Sequence, residues 1–270
     1  MSITIMKIIS IATMKGGAGK TSFTFNMSGM LAADKKVLLV DADPQANLTD
    51  ATGVDITNIE TPSIKNIFDG VSIEPQDLVI KEPIESIPNL DIIPSSIFLY
   101  DSQDKLYMQP NRERFFFNYI CDYIDYFSQY DYIICDTNPS MDLINQNIFF
   151  ATDNIVLIAD CSYHSYLGLQ LFQYMWSQKR TVMRKEDNIS AVVINMYDKR
   201  AQVSKDMYDY IGDPEGPFSG YRLNTYLPTD TKIKASVMYH QPINKLMGES
   251  NKSSKAIRSI ISELQQRGVL

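Results

Sequence analysis

The sequence predicts an α/β fold, a mainly parallel twisted sheet with helices on both faces. Two observations carry this expectation. Short β-branched apolar runs alternate with stretches of helical periodicity from Lys7 onward, the pattern of strands buried on two faces and crossed over by helices. At 270 residues and 44% apolar content, the chain can also fill one large core. A single domain over 1–270 is expected, with its ligand edge at the C-terminal ends of the strands.

The first strand is Lys7–Ile11, and a helix follows over Ser22–Ala33 with Phe23, Met27, Met30 and Leu31 at helical spacing. Between them Lys15-Gly16-Gly17-Ala18-Gly19-Lys20-Thr21 supplies glycines that let backbone N–H groups curl around an anion at the helix N-terminus. Lys20 is placed to reach the β/γ-phosphates and the Thr21 hydroxyl to ligate Mg²⁺, with Lys15 to Ser22 as the phosphate-contacting set. At average residue frequencies, this spacing arises by chance roughly once in ten thousand chains or less. Met14 stands where the plain phosphate-loop pattern has its first glycine, and a second lysine follows it. With these features the stretch resembles the deviant Walker A loop of the ParA/MinD ATPases, a P-loop NTPase type.

A second all-apolar strand, Val37–Val40, runs into Asp41-Ala42-Asp43-Pro44-Gln45-Ala46-Asn47. An acid at the end of a parallel strand lies at the ligand edge, so Asp41 is expected beside the loop, orienting a water or acting through the metal shell. The Asp-x-Asp-Pro-Gln-x-Asn stretch is similar to the family's second signature. Residues 50–110, broken by Pro62, Pro75, Pro83, Pro88, Pro94 and Pro110, are expected to hold short helices and one strand, Leu90–Ile93. From Asn111 one helix is indicated, its core stripe being Phe115, Phe116, Tyr119, Ile120, Tyr123, Ile124 and Phe127.

In Tyr130-Asp131-Tyr132-Ile133-Ile134-Cys135-Asp136 an apolar strand ends in Asp136, the place of a Walker B carboxylate that holds a Mg²⁺-bound water. Asn138 departs from the Asp-Thr-Pro-Pro-Ser usual in the family. A strand over Asn154–Ala159 and a helix over Tyr166–Arg180 come next, then the strand Ser190–Ile194. The resemblance makes Asn195, at its end, an adenine contact. It likewise lays the Pro228 backbone, after a last strand Leu223–Leu227, against the base. C-terminal helices are expected from about residue 230. Cys121, Cys135 and Cys161 lack metal spacing and suit buried thiols, and His164 and His240 read as surface residues.

Net charge is −7, unevenly spread: residues 1–178 hold 10 Lys+Arg against 22 Asp+Glu, and residues 179–270 hold 15 against 10. Lys199, Arg200, Lys232, Lys234, Lys252, Lys255 and Arg258 form the candidate DNA-binding set, contacting backbone with little sequence preference. Nothing resembles a signal peptide or an apolar run of about 18 residues, so a cytoplasmic, nucleoid-associated protein is expected. The first strand begins too early for a preceding helix-turn-helix.

By resemblance the chain is expected to be a ParA/Soj-like ATPase of plasmid or chromosome partition using ATP and Mg²⁺, with Lys15, Lys20, Asp41 and Asp136 catalytic and Thr21, Asp41 and Asp136 around the metal. The family implies an ATP-bound homodimer, with Lys15 acting on the partner's nucleotide. It also implies non-specific DNA binding and stimulation by a centromere-binding, ParB-like partner. The alternative is a MinD-like membrane-positioning ATPase. It is disfavoured because the last segment, Ile260–Leu270, has a small apolar face and no aromatic residue. No stable membrane association is therefore expected.

Overall fold

A computed structural model describes residues 6–58 and 60–270. Strand β1 (Lys7–Ala12) feeds α1 (Lys20–Leu31), and β2 (Val37–Ala42) leads through the short helices α2 (Asn47–Ala51), α3 (Ile64–Phe68) and α4 (Pro75–Leu78) to β3 (Leu90–Ile93). Helices α5 (Leu99–Tyr107), α6 (Phe115–Asp122) and α7 (Ile124–Phe127) precede β4 (Tyr132–Thr137) and α8 (Leu143–Ala151). Then come β5 (Asn154–Asp160), α9 (Tyr163–Met183), β6 (Ile189–Tyr197), α10 (Gln202–Ile211) and β7 (Arg222–Pro228). Three helices close the chain: α11 (Thr231–Met238), α12 (Ile243–Met247) and α13 (Lys252–Gln266).

The seven strands form one sheet in the order β3-β2-β4-β1-β5-β6-β7, and every named pair is parallel. The two-residue period of a strand divides each between the faces. On one face Ile9, Ile11, Val37, Leu39, Ile134, Val156 and Val193 pack with α1, α11, α12 and α13. On the other, Leu38, Val40, Ile133 and Cys135 meet α3, α5, α6 and α8, while Leu157, Val192 and Ile194 meet α9 around Phe172 and Trp176. Because β1 lies between β4 and β5, the loop leaving it opens at the middle of the sheet's C-terminal edge.

Three local expectations change. The aromatic segment is not one helix from Asn111: that residue sits in a left-handed turn at φ 52, and Tyr123, at φ −116 and ψ 33, separates α6 from α7. The break turns Phe127 into the core beside Tyr130 and leaves Ile124 47% exposed, so Ile124 drops out of the predicted stripe. Cys121 is exposed, Cys135 buried and Cys161 between the two, so only one thiol behaves as expected of all three. His164 is exposed, whereas His240 is partly covered, its Nδ1 lying 3.4 Å from the Ala51 carbonyl.

Candidate functional site

The loop from Thr13 to Gly19 turns on two glycines in left-handed backbone, Gly17 at φ 80 and Gly19 at φ 83, where an L side chain would strain the chain. Gly19 is also the N-cap of α1 and has no side chain to satisfy the first N–H groups, which stay free for an anion. Thr13 Oγ1 accepts from the Lys15 N–H at 3.2 Å and stiffens the entry.

At the floor of the loop Asp136 gathers three donors. Lys20 Nζ donates to its Oδ1 at 2.9 Å, Thr21 Oγ1 to its Oδ2 at 2.6 Å, and Thr24 Oγ1 reaches Oδ1 at 3.4 Å. Asp136 is fully buried and Lys20 nearly so, which makes this a desolvated pair held by α1 and β4 together. Of Lys20, Thr21, Asp41 and Asp136, expected together, the structure joins Lys20, Thr21 and Asp136 by direct hydrogen bonds.

Asp41 is different. Its register partner across the β2–β4 ladder is Asp136, but it is fully buried inside the strand and does not line the cavity above the loop. Its Oδ2 accepts from both the N–H and the hydroxyl of Thr49, each at 2.8 Å, and its Oδ1 from the Asp43 N–H at 3.1 Å. Burial, and then the charge of Asp136, push its carboxyl up to about 7 against these hydrogen bonds. The residue that does face the cavity is Asp43, the first beyond the strand, with its Oδ1 holding the Gln45 N–H at 2.9 Å. Burial raises its carboxyl too, with Lys20 acting in the opposite direction. Ser95 ties this segment to the exit of β3, donating its hydroxyl to the Asp43 carbonyl and its N–H to Thr49 Oγ1. Of the two acids it is Asp43 that lines the cavity, whereas Asp41 is enclosed within β2.

Lys15 does not join Lys20. Its ammonium is held by Asp160, at the end of β5, and by Ser162 Oγ at 3.0 Å, while Ser165 Oγ donates to the other Asp160 oxygen at 2.7 Å. Burial would raise the Asp160 carboxyl, but hydrogen bonds from Lys15, Ser162 and Ser165 outweigh it and hold it below the usual range. Ser162 is also the N-cap of α9, accepting from the Ser165 N–H, so a helix start fixes the lysine's holder. Nothing in the sequence pattern singled out Asp160, whose only signal is its place at the end of an apolar strand.

The cavity above the loop measures about 690 Å³. Lys15 to Ser22 form one wall, with Asp43, Gln45 and Pro139 on one side and Asn195, Met196, Pro228, Thr229 and Lys234 on the other. Asn195 and Pro228 both line this cavity, and the Asn195 amide is committed: Nδ2 donates to the Ala18 carbonyl at 2.7 Å and Oδ1 accepts from the Met196 N–H at 2.8 Å. Asn138 knots the turn after β4, donating to Asp142 Oδ2 at 2.8 Å and accepting from Ser140 and Asn145.

The basic set divides. Lys199, Arg200, Lys252 and Lys255 line a neighbouring hollow of about 550 Å³ that shares Pro228 and Thr229 with the first. There Tyr197 and Tyr226 stack on each other at 4.0 Å, which is packing rather than a free stacking platform. Lys234 faces the first cavity, Lys232 is exposed on α11, and Arg258 is paired with Glu249 at 2.6 Å. Of the seven, four thus line the hollow, while Lys232, Lys234 and Arg258 are not among the residues that line it.

The profile of the AAA domain family matches residues 6–190. An uncharacterised protein of Mycobacterium tuberculosis is 29% identical over 202 residues, covering 74% of this chain, and the chain spans 61% of that protein. The virulence plasmid ParA family protein of Chlamydia psittaci is 32% identical over 267 residues, covering 97% of this chain and 95% of its own length. Among solved structures, an ATP complex of McdA from Cyanothece superposes with a TM-score of 0.83 at 20% identity, covering 96% of each chain. The seven-stranded parallel sheet, the glycine loop from β1 into α1 and these matches lead to one conclusion: the chain belongs to the ParA family of AAA-domain proteins.

Proposed function

We propose that the protein is a Mg²⁺-dependent ATPase of DNA partition, dimeric with ATP, bound non-specifically to DNA on the nucleoid and stimulated by a centromere-binding, ParB-like partner. The observation that carries the catalytic half is the gathering of Lys20 and Thr21 on the buried Asp136 beneath an anion-ready loop. The donor set fits a hard cation that keeps most of its water: a hydroxyl, one carboxylate and substrate oxygens suit Mg²⁺, and among the described residues no cluster of three His, Cys, Asp or Glu offers a full cage. Thr21 and Asp136 would hold it, and when bound it neutralises phosphate charge. Lys20 leaves Asp136 for the phosphates, and the free N–H groups of the loop orient them. Asp43, at the cavity wall, takes the part of positioning the attacking water. Lys15 serves the nucleotide of a second subunit once it leaves Asp160, adding the trans cation that such transfers use.

The DNA half rests on the hollow shared by Lys199, Arg200, Lys252 and Lys255. A membrane role has less support, because the apolar face of α13, with Ile257, Ile260, Ile261 and Leu264, is consumed in packing against the core. The test of the catalytic reading is phosphate release from ATP with magnesium, for wild type, Asp43→Ala and Asp41→Asn. Expected are nucleotide binding in all three, about 10²-fold or greater loss of turnover in Asp43→Ala, and a smaller loss in Asp41→Asn. Wild-type turnover in Asp43→Ala would return the role to another group.

A further inference from the structure

We infer that Asn195 is a positioning residue for the phosphate loop, a strut that fixes the Ala18–Gly19 peptide, rather than a reader of the base. This deepens the nucleotide reading above and rests on it. Asn195 lies two residues before the end of β6, which is separated from β1 by β5, so the phosphate loop itself crosses over β5 to bring the Ala18 carbonyl to this side chain. It is 4% exposed, and both amide atoms are used in a way that leaves no ambiguity of orientation: the nitrogen meets a carbonyl and the oxygen meets an N–H.

Steric fit adds a second observation. A Cβ on Gly19 would lie 2.3 Å from Asn195 Nδ2, so the loop is shaped to the amide as closely as van der Waals radii allow. The described chain has no cis peptide, and across a trans peptide the N–H points opposite to the C=O. With the Ala18 carbonyl drawn to Asn195, the Gly19 N–H faces away from it and is available to an anion. Left unanchored, between two glycines at positive φ, this peptide can rotate and present its carbonyl oxygen to the phosphates instead. The same segment ties the two halves of the cavity together, since the Met196 carbonyl accepts from the Thr229 hydroxyl at 2.8 Å on the base side.

A strut and a base reader differ in which ligands notice its loss. Binding of ATP, GTP and inorganic tripolyphosphate is measured by calorimetry for wild type and Asn195→Ala, with the thermal midpoint of each empty protein as the folding control. A strut weakens all three ligands by the same factor, about tenfold for one hydrogen bond removed from a preorganised loop. Loss confined to ATP, with GTP and tripolyphosphate unchanged, overturns the proposal in favour of base reading, and unchanged affinities overturn it outright. If Asn195→Ala does not fold, Asn195→Asp carries the test. Its ionised carboxylate cannot donate to the Ala18 carbonyl, whereas its protonated form can. Relative to wild type at each pH, tripolyphosphate binding should then be weak at pH 8 and recover toward pH 5; a constant ratio overturns the strut. Wild-type protein that binds none of the three ligands removes the nucleotide reading itself, a separate failure.

Discussion

Asp41 is an acid that the fold keeps for its own architecture. Its two oxygens satisfy the N–H and hydroxyl of Thr49 and the N–H of Asp43, so it shapes the segment on which Asp43 stands. That service has a pH signature. The carboxyl is raised to about 7 in the fold from an ordinary value of 3.8, so between these values the folded state binds more protons than the unfolded one. Stability must then fall as pH rises through this window, with the full penalty present above it. Asp43, also raised by burial, contributes with the same sign. Asp41→Asn should therefore flatten the decline in thermal midpoint of the empty protein between pH 5 and 8; parallel curves for variant and wild type would show that Asp41 is not the group titrating. At this scale the sequence made the phosphate loop legible, because its glycine spacing ahead of Lys20-Thr21 has one chemical use, and it placed Asp136 at the end of a strand. It could not separate Asp41 from Asp43. The strand runs two residues further than its apolar run, to Ala42, and only that length decides which acid emerges from the sheet.

Helix α1 carries the loop on one end and the C-terminal helices along its side, so it joins the nucleotide site to the basic region. Asn26, fully buried in α1, accepts from the Ile243 N–H at 2.6 Å and exchanges hydrogen bonds with Ser236, gripping both α11 and α12. One turn on, a Cβ at Gly29 would lie 2.2 Å from Pro242 Cγ and 2.9 Å from its Cβ. The ring cannot swing aside, so Gly29→Ala must push the helices apart even though alanine is the better helix former. We expect Gly29→Ala to cost about 1–3 kcal/mol of unfolding free energy, and Asn26→Ala about 1–3 kcal/mol for the orphaned Ile243 N–H. Urea unfolding measures both; a stabilised Gly29→Ala would show that the approach of Pro242 relaxes freely. The strands and long helices were readable because the apolar period sums over many residues. The breaks were not, since the division of α6 from α7 rests on the backbone of Tyr123 alone, which carries no turn-forming side chain. Likewise the segment 50–110 contributes a strand that pairs mainly through β2, with only an isolated antiparallel bridge from Ile80 to Ile92.

For the molecule as a whole, the charge distribution sets what it can hold. The chain is net negative, so any DNA affinity must come from a local surface working against the far field. The hollow beside the nucleotide cavity brings Lys199, Arg200, Lys252 and Lys255 together, and the two cavities share Pro228 and Thr229, with Lys252 Nζ donating to the Thr229 carbonyl at 2.8 Å. A nucleotide that adjusts this shared wall would adjust the basic surface with it, and a second subunit would double the cations offered to one duplex. Two of the four are partly spoken for, Lys252 by that carbonyl and Arg200 by Asp198 at 3.4 Å, exposed pairings that a phosphate can replace at little cost. Each phosphate that a cation neutralises contributes about −0.9 to the slope of log affinity against log salt. Replacing all four residues by alanine should therefore lower affinity for unrelated duplexes to a similar extent and make the slope shallower by about 0.9 for each phosphate that a subunit no longer neutralises. The same measurement on Lys232→Ala, exposed on α11 and not among the residues that line the hollow, should give a much smaller change. Binding with ATP, with ADP and without nucleotide separates the remaining outcomes. ATP-dependent, salt-steep binding that the quadruple variant loses places DNA on this hollow; equal loss in Lys232→Ala spreads the DNA surface over α11; and wild-type protein that binds no duplex in any nucleotide state removes DNA from the proposed function.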